Sequence, residues 1–215
     1  MKNLILLVIS TLIFSCNSEA QNHESGKKYD LSKIEDQKLD TATFAGGCFW
    51  CIEASFEQIK GVYEAVSGYS GGQSKNPTYR EVSYGKTDHA ETVEIYFDPT
   101  QISYETLLDI FFTAHDPTQL NRQGPDVGKQ YRSAIFYHNK NQKQLAEKAI
   151  KEIDKSGTYG SKPVVTQLNP YDKFWKAEDY HQDYEMHHPN DPYIKNVSRP
   201  KIDKVRKKFA NLLKY

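Results

Sequence analysis

Cysteine is scarce in this chain, with three in 215 residues, so the core must form without disulfide staples. Residues from about Thr41 to Tyr215 are numerous enough to do that. A zinc site would need a second ligand pair drawn from scattered histidines such as His181, His187 and His188, and that spacing is weak. Net charge is also lacking: Lys plus Arg and Asp plus Glu each number 28, for a formal charge of zero. That balance removes the bulk electrostatic case for a nucleic-acid partner. The apolar run from Leu4 to Phe14 is too short to span a bilayer. There is no internal repeat and no sign of a second domain.

What is present begins at the N-terminus. Lys2 provides a minimal positive region, Leu4 to Phe14 an apolar run interrupted by Ser10 and Thr11, and Ser15-Cys16 a small residue before cysteine. This is similar to a bacterial lipoprotein signal, with Ile13-Phe14-Ser15-Cys16 as lipobox and Cys16 as the lipidated N-terminus after cleavage. An ordinary secretory signal, or an uncleaved anchor, is the alternative. The expected organisation is a signal at 1–16, a polar tether at 17–40 and one catalytic domain at 41–215. The expected location is the bacterial cell envelope, membrane-anchored and facing the periplasm.

The chemistry concentrates in Gly46-Gly47-Cys48-Phe49-Trp50-Cys51. Thr43 to Ala45 form a strand-like lead-in, the glycines permit a tight turn, and Cys48 to Lys60 read as helix, with Phe49, Ile52, Phe56 and Ile59 at spacings of three and four. A thiol in the first turn faces unpaired N–H groups and the positive end of the helix dipole, so the spacing predicts a lowered pKa and a nucleophilic Cys48. Cys51, at i+3, shares its face and could capture an oxidised sulfur as a disulfide. Redox chemistry leads over buried packing thiols and over a structural bridge, whose short loop removes little chain entropy. A general thiol–disulfide oxidoreductase of the envelope remains the rival.

Elsewhere, Val62–Tyr69, Glu91–Phe97, Ser133–Tyr137 and Val164–Leu168 read as strands. Tyr104–His115, capped by Ser103, and Gln142–Ser156 read as helices. Ile202, Val205, Phe209 and Leu212 form an apolar stripe that docks the basic C-terminal helix on the core. The segments Ser70–Ala90 and Asp116–Arg132 are rich loops of the kind that carry function.

Several ordered motifs then carry a resemblance: Gly46-Gly47-Cys48-Phe49-Trp50, Gly68-Tyr69-Ser70-Gly71-Gly72, Asn76-Pro77-Thr78-Tyr79-Arg80-Glu81-Val82, Gly85-Lys86-Thr87-Asp88-His89-Ala90-Glu91, His115-Asp116-Pro117-Thr118, and Asp126-Val127-Gly128-Lys129-Gln130-Tyr131-Arg132-Ser133. Together, over about Thr41 to Asn196, the chain resembles type A peptide methionine sulfoxide reductase. The resemblance implies an α+β two-layer sandwich with a ferredoxin-like core and long functional loops. It implies Cys48 as nucleophile, Phe49 and Trp50 around the substrate's methyl group, Glu91 as the acid at the sulfoxide oxygen, Tyr79 and Tyr131 binding that oxygen, and Asp126 assisting through ordered water. Methionine sulfoxide in oxidised proteins or peptides is then the substrate.

Many relatives place resolving cysteines near the C-terminus. This chain has none there, which leaves Cys51 to close a Cys48–Cys51 disulfide for a thioredoxin or thioredoxin-like protein to reduce. No further cofactor or metal is implied, and a monomer is expected. Physical chemistry agrees with the roles, since breaking the S–O bond calls for a carboxylic acid and phenols near the oxygen, and hence for a Glu91 kept protonated by an apolar surround. With 15 tyrosines in the chain, each tyrosine's role rests on its motif, and Tyr69 and Tyr84 stay outside the site.

Overall fold

The computed structural model describes residues 38–214. The signal reading at 1–16, with Cys16, and residues 17–37 of the tether lie outside the described residues.

The longest strands alternate side chains between two faces and assemble into one sheet. The strands are β1 (Asp40–Gly46), β2 (Val62–Ser70), β3 (Ala90–Phe97), β6 (Ser133–Tyr137), β7 (Gln167–Pro170) and β8 (Phe174–Lys176), in the order β7-β6-β1-β3-β2-β8. Every neighbouring pair is antiparallel except β6 with β7. The short pair β4 (Arg122–Gln123) and β5 (Asp126–Val127) stands apart. The helices are α1 (Phe49–Glu57), α2 (Tyr79–Ser83), α3 (Tyr104–Ala114), α4 (Lys140–Lys155), α5 (Tyr184–His187) and α6 (Arg199–Lys208). Mixed strands and segregated helices make the fold α+β.

One core joins the helices to a single face of the sheet. Val93, Ile95 and Phe97 of β3 pack with Phe49, Ile52 and Phe56 of α1, Leu107, Leu108 and Phe111 of α3, and Val205 of α6. Phe44 stacks on Phe111 at 4.8 Å between ring centroids. Each such fully buried aromatic contributes about 1.5–3 kcal/mol of burial free energy. The alternation in β3 is that of a strand with one wet face, yet Thr92 and Glu94 are buried too. The reason is position: β3 lies mid-sheet, and a smaller cluster of Ala45, Ala90, Ala134 and Phe136, with Tyr171 against it, covers the other face.

Several boundaries differ from those the periodicity predicts. The first helix runs Phe49–Glu57 rather than Cys48–Lys60, because Cys48 has an extended ψ of 124° as N-cap and Ile59 leaves to bridge Leu213. The strand expected at Val164–Leu168 runs Gln167–Pro170 as β7, since the Val165 N–H bonds the Pro117 carbonyl instead of a strand. Ser103 caps α3 as expected, accepting from the Thr106 N–H. The C-terminal stripe docks as expected, with Ile202 and Val205 fully buried.

Gly47 sets the turn between β1 and α1. Its φ is +93°, and a Cβ there would meet the Gln123 side chain at 2.6 Å. Gln123 cannot yield, because its amide bonds both the N–H and the carbonyl of Asp116. Gly47→Ala is therefore expected to cost roughly 1–3 kcal/mol for the backbone conformation alone, and more for the clash. Urea unfolding against Gly124→Ala checks this, since Gly124 also has positive φ but faces open space.

Candidate active site

The turn at Gly46-Gly47 delivers Cys48 to the start of α1, directly above the start of β3. There the Phe49 N–H, unpaired within the helix, donates to the Glu91 carboxylate at 3.1 Å. Cys48 is 5 % exposed and Glu91 2 %, so a buried thiol and a buried carboxyl share one helix end. Burial raises the Glu91 carboxyl, and the nearby Asp126 and Cys51 charges add to it; against the Phe49 hydrogen bond the net result is about 8. At neutral pH it is a proton donor.

Cys48 departs from the expectation of a lowered pKa. Burial pushes its thiol well up, and Cys51 and the Glu91 charge push the same way, against the opposing influence of the nearby Tyr193 hydroxyl. The helix-end argument fails because the site is dry and a second sulfur competes for the charge. That second sulfur, Cys51, is brought down to about 7 by the Cys48 hydrogen bond, Lys201 and Ser198. Both thiols are free.

Two short elements bring Tyr79 and Tyr131 in. A capping box at Thr78, where Thr78 and Glu81 bond each other's backbone, starts α2 with Tyr79 as its first residue. Glu178 anchors it by accepting the Tyr79 N–H at 2.9 Å and the Tyr69 hydroxyl at 2.9 Å. The 3₁₀ turn Lys129–Tyr131, fixed by Gln130 donating to the Ser83 carbonyl, presents Tyr131. Both tyrosines are half-buried, and burial together with the Glu91 charge raises both. Both stay protonated, within electrostatic reach of Glu91 and Cys48. Asp126, on β5, accepts the Tyr193 hydroxyl at 2.6 Å.

The apolar wall is aromatic. Phe49 lies 6.0 Å from Trp50 and 6.3 Å from Tyr79 between ring centroids. Trp50 is sandwiched, stacked on Tyr184 at 3.8 Å and edge-on to Tyr193 at 5.9 Å, and its indole N–H donates to His181 Nδ1 at 3.2 Å. All eight residues singled out in the described region, Cys48, Cys51, Glu91, Phe49, Trp50, Tyr79, Asp126 and Tyr131, thus fall in one cluster. Tyr84 is 73 % exposed and lies apart, whereas Tyr69, left outside the site above, is fully buried, bonds Glu178 and packs on Phe49 at 6.0 Å between ring centroids, backing the wall. Tyr193 and His181 belong to the cluster, although spacing gave no sign of them: among so many aromatic residues, nothing local marks the ones that fold back. His181, weighed above only as a weak zinc ligand, instead holds Trp50.

A buried thiol beside a protonated carboxyl, ringed by phenols and an aromatic wall, suits reduction of a small polar oxide carried on an apolar group. The family model for peptide methionine sulfoxide reductase matches residues 40–213. The chain belongs to the peptide methionine sulfoxide reductase family. Among curated relatives, the MsrA of Natronomonas pharaonis is 51 % identical over 170 residues, covering 79 % of this chain and 95 % of that protein. The MsrA of Pasteurella multocida is 53 % identical over 173 residues, covering 80 % and 98 %. Among solved structures, methionine sulfoxide reductase A of Corynebacterium diphtheriae aligns with TM-score 0.66 at 37 % identity, covering 70 % of this chain and 76 % of that one. Reduced Mxr1 from Saccharomyces cerevisiae aligns with TM-score 0.66 at 33 % identity, covering 76 % and 91 %. The chain is a peptide-methionine sulfoxide reductase, and among its described residues Cys48 and Cys51 are free thiols.

Proposed function

We propose that this chain reduces methionine S-sulfoxide, free or in proteins, with Cys48 as nucleophile, Glu91 as acid and Cys51 as resolving thiol. The observation that carries the reading is the hydrogen bond from the Phe49 N–H to Glu91, which fixes a protonated carboxyl at the helix end that holds Cys48. The substrate's methyl group rests on Phe49 and Trp50, and its oxygen faces Glu91, Tyr79 and Tyr131, with Asp126 and Tyr193 closing the polar corner. The Cys48 sulfur attacks the sulfoxide sulfur as Glu91 protonates the oxygen. Oxygen then passes to Cys48 and the Cys48 proton restores Glu91, so thiol plus sulfoxide becomes sulfenic acid plus thioether. Cys51 attacks the sulfenic sulfur, water leaves, and a Cys48–Cys51 disulfide remains. A thioredoxin-like dithiol reopens it by exchange.

The test is conversion of a sulfoxide peptide with dithiothreitol as reductant. Methionine formation supports the reading. Reduction of protein disulfides with the sulfoxide left intact would make the protein a general thiol–disulfide oxidoreductase instead. The ferredoxin-like description of the core is supported by a β-α-β-β-α-β order over residues 40–137, once the short α2 and the β4-β5 pair inserted in its loops are set aside, and by the strand order β6-β1-β3-β2.

Envelope anchoring is part of the same proposal and rests on Lys2, the Leu4–Phe14 run and the lipobox-like Ile13-Phe14-Ser15-Cys16. Several acyl chains on one cysteine hold a protein stably at a membrane, whereas one chain binds marginally. Mass spectrometry of the natural N-terminus is expected to find an acylated Cys16, and Cys16→Ser is expected to block processing and leave sulfoxide reduction intact. An unmodified chain beginning at Met1 in the cytosol would overturn the anchoring and leave the chemistry standing.

A further inference from the structure

Cys51 lies in the first turn of α1 with none of its surface exposed. Cys51 sits within the apolar core, but unlike a buried thiol that merely packs as a small hydrophobe it also has two polar partners. The Ser198 hydroxyl is 3.0 Å from its sulfur and the Lys201 ammonium 4.0 Å. Among the described residues Lys201 forms no ion pair with a carboxylate, so its charge is directed at sulfur. Both groups come from the C-terminal segment, where a π-helical stretch, Ile194–Ser198, runs into α6. Such wide turns are rare and occur frequently at functional sites. Here the stretch serves both sulfurs: Tyr193, at its start, reaches Cys48 and Asp126, and Ser198, at its end, reaches Cys51.

From this geometry we infer that Ser198 and Lys201 activate Cys51 for the second half of the reaction, the hydroxyl donating a hydrogen bond to the thiolate and the ammonium balancing its charge. The inference rests on the resolving role given to Cys51 above and adds the groups that make that thiol reactive. Attack needs a thiolate. The Cys51 electron pair forms the S–S bond, the Cys48 S–O bond breaks, and the hydroxyl leaves as water with the proton Cys51 gave up. Cys51 is oxidised and the sulfenic sulfur reduced, with no other reactant. The ionisable groups around Cys51 are Cys48, Asp126, Glu91, Tyr193 and Lys201. Cys48 and Lys201 favour its thiolate, Asp126 opposes it, and Glu91 and Tyr193 are themselves raised by its charge. Lys201 and Ser198 both pull toward the Cys51 thiolate, against burial and Asp126. The ion pair holding α6 in place is a different one, Arg199 with Glu185 at 2.7 Å, so removing the Lys201 charge leaves that anchor.

Rapid-quench kinetics on the full protein separate the two steps: methionine release reads the first, and mass spectrometry of the Cys48–Cys51 disulfide reads the second. Lys201→Met and Ser198→Ala are expected to slow disulfide formation at pH 7 by roughly 5- to 10-fold. They should also move its pH midpoint upward, with the rate recovered near pH 9. Lys201→Arg, which keeps the charge, is expected to restore most of the rate. A merely structural role would not shift the midpoint, nor would it be rescued by alkali. Unchanged midpoints in both variants would overturn the inference. If instead Cys51→Ser supports full thioredoxin-driven turnover, it is the resolving role itself that fails.

Discussion

Cys48→Ser protein is expected to release no methionine from a sulfoxide peptide, and Cys51→Ser protein to release about one equivalent per enzyme and stop. The asymmetry follows from the chemistry. Oxygen transfer needs one sulfur at the end of α1, where the Phe49 N–H and the Glu91 carboxyl meet, and a hydroxyl in its place cannot form a sulfenic acid. Loss of Cys51 leaves that step intact and removes only the thiol that captures its product. Trapping with a sulfenic-acid reagent, alongside methionine counted per enzyme, checks both halves. Catalytic turnover by Cys48→Ser would contradict the assignment outright, and a missing burst from Cys51→Ser would mean that the second thiol also serves the first step.

Glu91→Gln is the second large effect. Gln keeps the shape and still accepts the Phe49 N–H, but it has no proton to give the oxygen, so methionine release falls by roughly 10²–10⁴-fold. In the native enzyme the acid is available below the Glu91 value of about 8 and lost above it, so that step slows as pH rises through 8. The same shift carries a stability signature. A carboxyl raised in the fold contributes most below its ordinary value of 4.5, and that contribution is lost as pH rises through about 8. Glu91→Gln therefore gains in melting temperature over the native protein between pH 5 and 8. Equal rates across pH would remove Glu91 as the acid; an equal melting difference across pH would remove the buried, protonated state.

Much of this was legible in the chain. The Gly-Gly-Cys turn, the capped α3, the Ser133–Tyr137 strand and the docking stripe at Ile202 and Val205 follow from local spacing that the fold leaves alone. Cys48 and Cys51 came from their spacing at the start of a helix, and the other six clustered residues from motif resemblance, because no periodicity links Tyr79, Glu91 and Tyr131 across intervening loops. The raised Glu91 was accessible from chemistry, since S–O cleavage needs an acid. The Cys48 direction was not, because a local argument from the helix end counts N–H groups and cannot count the solvent removed by distant chain. Tyr193, His181, Ser198 and Lys201 escaped for the same reason: each reaches α1 or its neighbours from more than 130 residues along the chain. The signal reading, the lipidation proposed for Cys16 and the tether expected through residue 37 lie outside the described residues.

The most direct measurement is a single turnover of the fully reduced protein on one equivalent of a methionine S-sulfoxide peptide, quenched and mapped by mass spectrometry. The account predicts one methionine formed per enzyme, two thiols lost, and a disulfide joining Cys48 to Cys51. Methionine formed with both thiols retained, or no methionine at all, would contradict it.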